Sequence, residues 1–277
     1  MKKELIVQSA SRILIIVFGI FLLVSGCKQT KKESAYDDES APKSTEKEDV
    51  IQDLTTYPIP NAYEVTEMLQ NAGASYILSL SNPASKVGNY ISSAEKALNL
   101  GVYGSDLSYA STYMMKQETM KYLESSKKLI DELEISTTFN IDYAERVEDN
   151  LDDRDSLINI ISESFEDTWK YLVENEQDKL AIMVVSGSYI EGMYITSQIA
   201  LTAADNTSFL EIIAHQKKSL NTLIDIIDPI KDDAAMSGIF KSLNDLAKVY
   251  EDVGETLTDE QLQEMISIID PLRESIV

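Results

Sequence analysis

Asp178-Lys179-Leu180-Ala181-Ile182-Met183-Val184-Val185-Ser186-Gly187-Ser188-Tyr189-Ile190-Glu191-Gly192-Met193-Tyr194-Ile195-Thr196-Ser197-Gln198-Ile199-Ala200 is where an all-α chain parts from one with a buried strand. Ile182, Met183, Val184 and Val185 have the composition of a buried strand. The apolar pattern runs on, however, far past the roughly 4–8 residues of such a strand. Ser188, Gly192, Thr196 and Ala200 also recur every four residues. That period stacks four small side chains on one helix face, where a second helix can come close. Gln177–Ala204 therefore reads as a central buried helix, and the chain as all-α.

The neighbouring sequence fits the same class. Six prolines and ten glycines in 277 residues are few for a sheet with frequent turns, while Leu, Ile, Ala, Glu and Lys suit helices. Asn61 is placed to cap a helix towards Leu80, and Asn82-Pro83 to open another to about Leu100. Gly101 and Gly104 read as punctuation, after which Ser105 or Asp106 caps a short helix through Met115. Gln117–Ile135 follows, with Met120, Leu123, Ile130 and Leu133 on one face. Asn140 opens a short acidic helix, and the next runs from about Asp155 to Asn175.

Downstream, Asn206 or Thr207 starts a helix to Ile227, and Asp232 starts one ending near Gly254. Thr258-Asp259-Glu260-Gln261 is a capping box, in which hydroxyl and amide side chains satisfy backbone N–H groups reciprocally. Leu262, Met265, Ile266, Ile269, Leu272 and Ile276 hold helical phase beyond it. Ile226-Ile227-Asp228-Pro229-Ile230 echoes Ile268-Ile269-Asp270-Pro271-Leu272. No wider self-similarity accompanies the echo, so two separate proline features are expected rather than a repeat. The expectation is an all-α multi-helix bundle over 57–277.

The N-terminus carries an address. Lys2, Lys3 and Arg12 accompany an apolar run, Ile13–Val24, which is short for a spanning helix of about 20 apolar residues. It suits the apolar part of a secretory signal. Leu23-Val24-Ser25-Gly26-Cys27 ends it. This motif resembles the lipobox of bacterial lipoproteins, whose peptidase cuts just before the cysteine. The resemblance implies loss of a signal peptide, 1–26, with diacylglycerol on the Cys27 sulfur and an acylated new N-terminus. More than one acyl chain makes such an anchor stable.

From 27 to 56 the chain is mostly Lys, Glu, Asp, Ser and Thr. Such a segment cannot bury enough surface to offset ordering entropy, so it reads as a disordered linker. Its mean reach is on the order of 25–30 Å. In Gram-negative lipoproteins an aspartate after the cysteine favours the inner membrane. Lys28 stands there, so the resemblance implies the outer membrane. Lys28-Gln29-Thr30-Lys31-Lys32 is basic where surface-displayed lipoproteins carry acids. The periplasmic face is therefore the expected side, with surface display as the other. Cys27 is the one cysteine, so no disulfide can form within the chain.

The sequence offers little catalytic chemistry. His215 is the one histidine, with Glu211 a turn before it; carboxylate-bridged di-iron bundles need Glu-x-x-His twice. The Gly-x-His-x-x-Glu motif of imelysin-like helical lipoproteins is absent. Ser186-Gly187-Ser188 lacks the Gly-x-Ser-x-Gly spacing of a nucleophile elbow, and no phosphate-binding glycine loop occurs. The acidic run Glu148–Asp155 is broken by Leu151 and Arg154 and lacks the glycine of a calcium loop, so it reads as a solvated turn. No metal, cofactor or catalytic residue is assigned. The net charge is −23. The leader holds three cations (Lys2, Lys3, Arg12) and one anion (Glu4), so the mature chain would carry −25. Such a chain repels nucleic acid and anionic headgroups.

Tyrosine is enriched, 14 against 6 Phe and 1 Trp. Tyr103, Tyr109 and Tyr113 lie around Gly101-Val102-Tyr103-Gly104, with Tyr76 and Tyr90 before them. These five read either as a ligand or partner patch or as helix packing with hydroxyls in water. Ala97–Gly104 and Ser108–Tyr113 also resemble a stretch of uncharacterised helical lipoproteins of Bacteroidetes. That resemblance implies the class and assigns no activity. The functional expectation is a non-enzymatic, membrane-tethered domain that binds an envelope protein or scaffolds an assembly. The alternative is a small-molecule-binding lipoprotein with a Tyr-lined pocket.

Overall fold

Asp178–Thr202 is one continuous helix of 25 residues. The computed structural model describes residues 62–135 and 137–277; the leader, Cys27, the linker and Asn61 lie outside them. Among the described residues there are ten α-helices and no strand. They are α1 Ala62–Asn71, α2 Ser93–Thr112, α3 Lys116–Glu132, α4 Thr137–Asp149, α5 Arg154–Glu174, α6 Asp178–Thr202, α7 Thr207–Ala214, α8 Lys217–Ile227, α9 Ser237–Val249 and α10 Asp259–Glu274. The architecture is an all-α multi-helix bundle.

Its centre is the pair α2 and α6. Every residue of α2 from Ala97 to Thr112 is buried, the pattern of a helix covered on all sides. The two backbones touch at two glycines. A Cβ on Gly101 would lie 1.9 Å from the Val184 carbonyl oxygen, and one on Gly187 would lie 1.9 Å from that of Leu98. Gly104 makes room in the same way for the Phe165 ring of α5. Several hydroxyls inside the pair bond within their own helix or across to the other. Ser111 and Thr112 donate to the carbonyls of Leu107 and Ser108 at 2.7 Å each, and Ser105 Oγ reaches the Ser188 carbonyl at 2.9 Å.

Several boundaries depart from the sequence reading. α1 stops at Asn71, and Gly73 at φ +88° turns the chain into an irregular strap, residues 75–90, instead of continuing towards Leu80. The strap holds two 3-10 turns, Leu78–Leu80 and Ala84–Asn89. α2 starts from a capping box, Ser92 with Glu95, and not from Asn82-Pro83. It then runs straight through Gly101 and Gly104, so Ser105 and Asp106 are interior residues and cap nothing. Thr207–Ile227 is two helices, broken at His215 and Gln216. The four-residue stripe places the close approach only in part: Ser188 lies against Gly101 and Ser105 of α2, and Gly192 does not. A Cβ on Gly192 would meet nothing within 4 Å, whereas Gly187, next to Ser188, is where α2 comes closest.

Other readings hold. Thr258 and Gln261 form the capping box of α10, with Thr258 Oγ1 accepting from Gln261 N–H at 3.2 Å. The Asp-Pro echo takes two unlike forms: Asp228–Ile230 is a 3-10 turn after α8, whereas Pro271 sits inside α10.

Candidate functional site

The strap, α2, α6 and α10 meet at a buried charged cluster. Asp106 of α2 and Glu191 of α6 are both 0% exposed. Arg273 of α10 grips Glu191 with two bonds, Nε to Oε2 at 2.8 Å and Nη2 to Oε1 at 2.9 Å. The same Nη2 donates to the Leu80 carbonyl at 3.2 Å, and the guanidinium lies 4.3 Å over the Tyr194 ring. Asp106 Oδ2 accepts from Asn82 N–H at 3.1 Å. Two carboxyls thus face one guanidinium out of reach of bulk water.

Burial pushes both carboxyls above their ordinary range, because charge is costly where water cannot solvate it. At Asp106 the neighbouring Glu191 charge raises it further, while Arg273 pulls back. At Glu191 the Arg273 bonds oppose the burial. The pair therefore titrates as a unit. Glu191, held at both oxygens by Arg273, is the better-stabilised anion, and Asp106 is the member that favours the neutral acid.

The five sequence-selected tyrosines do come together, but inside the protein. Tyr103 and Tyr109 are fully buried, Tyr90 is 8% exposed, and Tyr76 and Tyr113 are partly buried. Ring centroids lie 4.6 Å apart for Tyr76 and Tyr109, 5.2 Å for Tyr109 and Tyr113, and 6.3 Å for Tyr90 and Tyr103. Three of the hydroxyls, those of Tyr90, Tyr103 and Tyr109, fasten the strap rather than point to water. Tyr109 Oη accepts from Ile77 N–H at 2.9 Å, Tyr103 Oη donates to the Pro83 carbonyl at 3.1 Å, and Tyr90 Oη accepts from Asn82 Nδ2 at 2.9 Å. Burial raises each phenol, Tyr109 to about 12, and the nearby Asp106 charge adds to the rise there. A sixth ring, Tyr122 of α3, stacks on Tyr103 at 6.1 Å and was not singled out from sequence.

Asp106, Glu191 and Arg273 match no spacing pattern in the sequence. A signal did exist. Glu191 is the one charged residue between Lys179 and Asp205, and Asp106 the one between Lys96 and Lys116. A lone acid in so long an uncharged helical stretch is an acid inside the fold.

The remaining sequence candidates sit apart. His215 and Glu211 are both exposed at the end of α7, and among the described residues no group of three or more His, Cys, Asp or Glu could hold a metal ion. Asp153 of the acidic run caps α5, with Oδ1 accepting from Ser156 N–H at 3.2 Å. Ser186 donates to the Ile182 carbonyl of its own helix at 2.8 Å. A cavity of about 60 Å³ opens on the other side of α2, lined by Leu100, Gly104, Leu107, Ile130, Phe165 and Val184 among others; it is apolar, and none of the five tyrosines lines it. Among the described residues no helix is long and apolar enough to cross a membrane. No family model matches the chain, and no curated protein or solved structure matches it either.

Proposed function

We propose that the chain is a lipoprotein of a bacterial outer membrane, anchored through Cys27, whose helical domain binds a partner or scaffolds an assembly without catalysis. The observation that carries this reading is Leu23-Val24-Ser25-Gly26-Cys27 at the end of an apolar leader. The linker of 27–56 supports it by giving the domain reach from the bilayer. The build of the domain supports it too, since a bundle closed over its own tyrosines presents a rigid surface. Leu78 and Ile91, near the two ends of the fastened strap, are 54% and 84% exposed. Such apolar side chains on a pinned segment suit a contact surface, because little ordering entropy is left to lose on binding.

The test is a pull-down with the full-length chain from detergent-solubilised envelopes. A partner retained by the wild-type protein and released by Ile91→Asp is the expected result. Recovery of no stable partner overturns the reading.

A further inference from the structure

Two contacts outside the tyrosine set tie the strap to the bundle. Asp106 Oδ2 accepts from Asn82 N–H at 3.1 Å, and Arg273 Nη2 donates to the Leu80 carbonyl at 3.2 Å. The Ser81 hydroxyl and the Glu191 carboxyl also lie in bonding reach of Asp106. Two ionised carboxylates cannot bond, since each only accepts, so the contact with Glu191 requires a proton on one of them. Glu191 takes an N–H of Arg273 at each oxygen, which favours its charged form. The proton belongs to Asp106.

We propose that this shared proton latches the strap: while Asp106 keeps it the strap stays closed over the tyrosine cluster, and its loss lifts the strap and bares the rings. Without the proton, two anions at 0% exposure face one guanidinium. An ionised Asp106 also competes for Arg273, whose Nη2 now holds the Leu80 carbonyl. Relief comes from admitting water, and the strap is the wall that can move. α2 and α6 press backbone to backbone at Gly101 and Gly187, whereas the strap holds two short 3-10 turns and is entered through Gly73 at φ +88°. Segments of that kind open at lower cost than core helices. The latch is independent of the partner-binding reading.

The sign follows from the groups around Asp106. Glu191 faces it from α6, Arg273 from α10, Tyr122 from α3, Tyr76 and Tyr90 from the strap, and Tyr103 and Tyr109 from its own helix; Lys86 of the strap acts on Glu191. Burial holds these phenols above their ordinary value, and the guanidinium keeps its charge. That leaves the acid pair to exchange the proton between acid and neutral pH. A solvated carboxyl ionises at about pH 4, whereas burial raises Asp106 well above that range. Between the two values the closed strap holds one proton more than the open one, so each pH unit makes opening about tenfold easier.

The experiment is amide hydrogen exchange of the full-length chain in neutral detergent at about pH 5 and about pH 7, corrected for the chemical rate at each pH and repeated in low urea. Protection of the strap amides is expected to fall by about tenfold or more at the higher pH. It stays below that of α6 throughout and depends less on urea, because a small opening exposes little surface. In Asp106→Asn the amide N–H donates to Glu191 as the acid does, so the strap keeps its protection at both pH values. Should that variant fail to fold, the wild-type contrast between strap and α6 decides alone. Strap protection equal at the two pH values overturns the proposal. Strap and α6 exchanging together with one urea dependence means that the fold opens as a whole, and overturns it too. So does a pH response undiminished in Asp106→Asn.

Discussion

Glu191 and Asp106 lie at the centre of this fold, and both are costly where they sit. A buried ion pair does little for stability against an apolar replacement, but losing one partner is severe. Arg273→Ala leaves the Glu191 carboxylate enclosed without its guanidinium, and a loss of about 3–5 kcal/mol is expected by urea unfolding. Asp106→Asn has the opposite tendency, because the amide keeps an acceptor for Asn82 N–H and sheds the excess charge. The sign follows from the raised carboxyls. Unfolded carboxyls ionise near pH 4, whereas the folded pair resists, so wild-type stability falls as pH climbs from that value through the raised one. The wild-type urea midpoint is expected to drop between about pH 5 and pH 8, and the Asp106→Asn midpoint to drop less. Parallel profiles would contradict the shared-charge account. At this scale the sequence was half legible. Two lone acids in long uncharged stretches signalled burial, but their common partner Arg273 lies 82 residues beyond Glu191, and nothing local announces it.

Helix identity was legible where apolar periodicity was long, as in α6 and α10, and helix ends were not. Three helices close on residues with positive φ that are not glycine: Met114 at 55°, Glu134 at 57° and Glu176 at 59°. Each is followed by a bond back across the last turn, such as Gln177 N–H to the Leu172 carbonyl at 2.8 Å, the geometry that glycine normally serves. Glu176→Gly is therefore expected to stabilise by about 0.5–1 kcal/mol, read from the urea midpoint. The true glycines misled in the other direction. Gly101 and Gly104 look like punctuation because glycine commonly ends helices, yet here they are the contact surface of α2. Gly187→Ala must push α2 and α6 apart, with an expected cost of about 3 kcal/mol or more. Gly192→Ala meets open space and should stabilise by up to about 1 kcal/mol through helix propensity. Equal effects at the two glycines would refute the assigned packing face.

The chain is acidic, and its described residues form an all-α bundle. Its class could be inferred from residues 57 to 277 because scarce Pro and Gly and repeated helical phase all point one way. The tyrosine cluster was legible as a grouping and not as a location. Five rings near one another in sequence come together around α2, but whether they face water depends on the strap, whose irregular path no periodicity encodes. The address rests on residues 23 to 27 and is the claim on which the functional reading turns. Fractionation of cells making the full-length chain or its Cys27→Ser variant tests it most directly, with mass spectrometry of the mature N-terminus alongside. The expected result is a wild-type protein in the membrane fraction beginning at acylated Cys27, and a variant that is no longer processed to that lipidated form and leaves the outer membrane. A wild-type chain beginning at Met1, or a variant as firmly membrane-bound as the original, would contradict it.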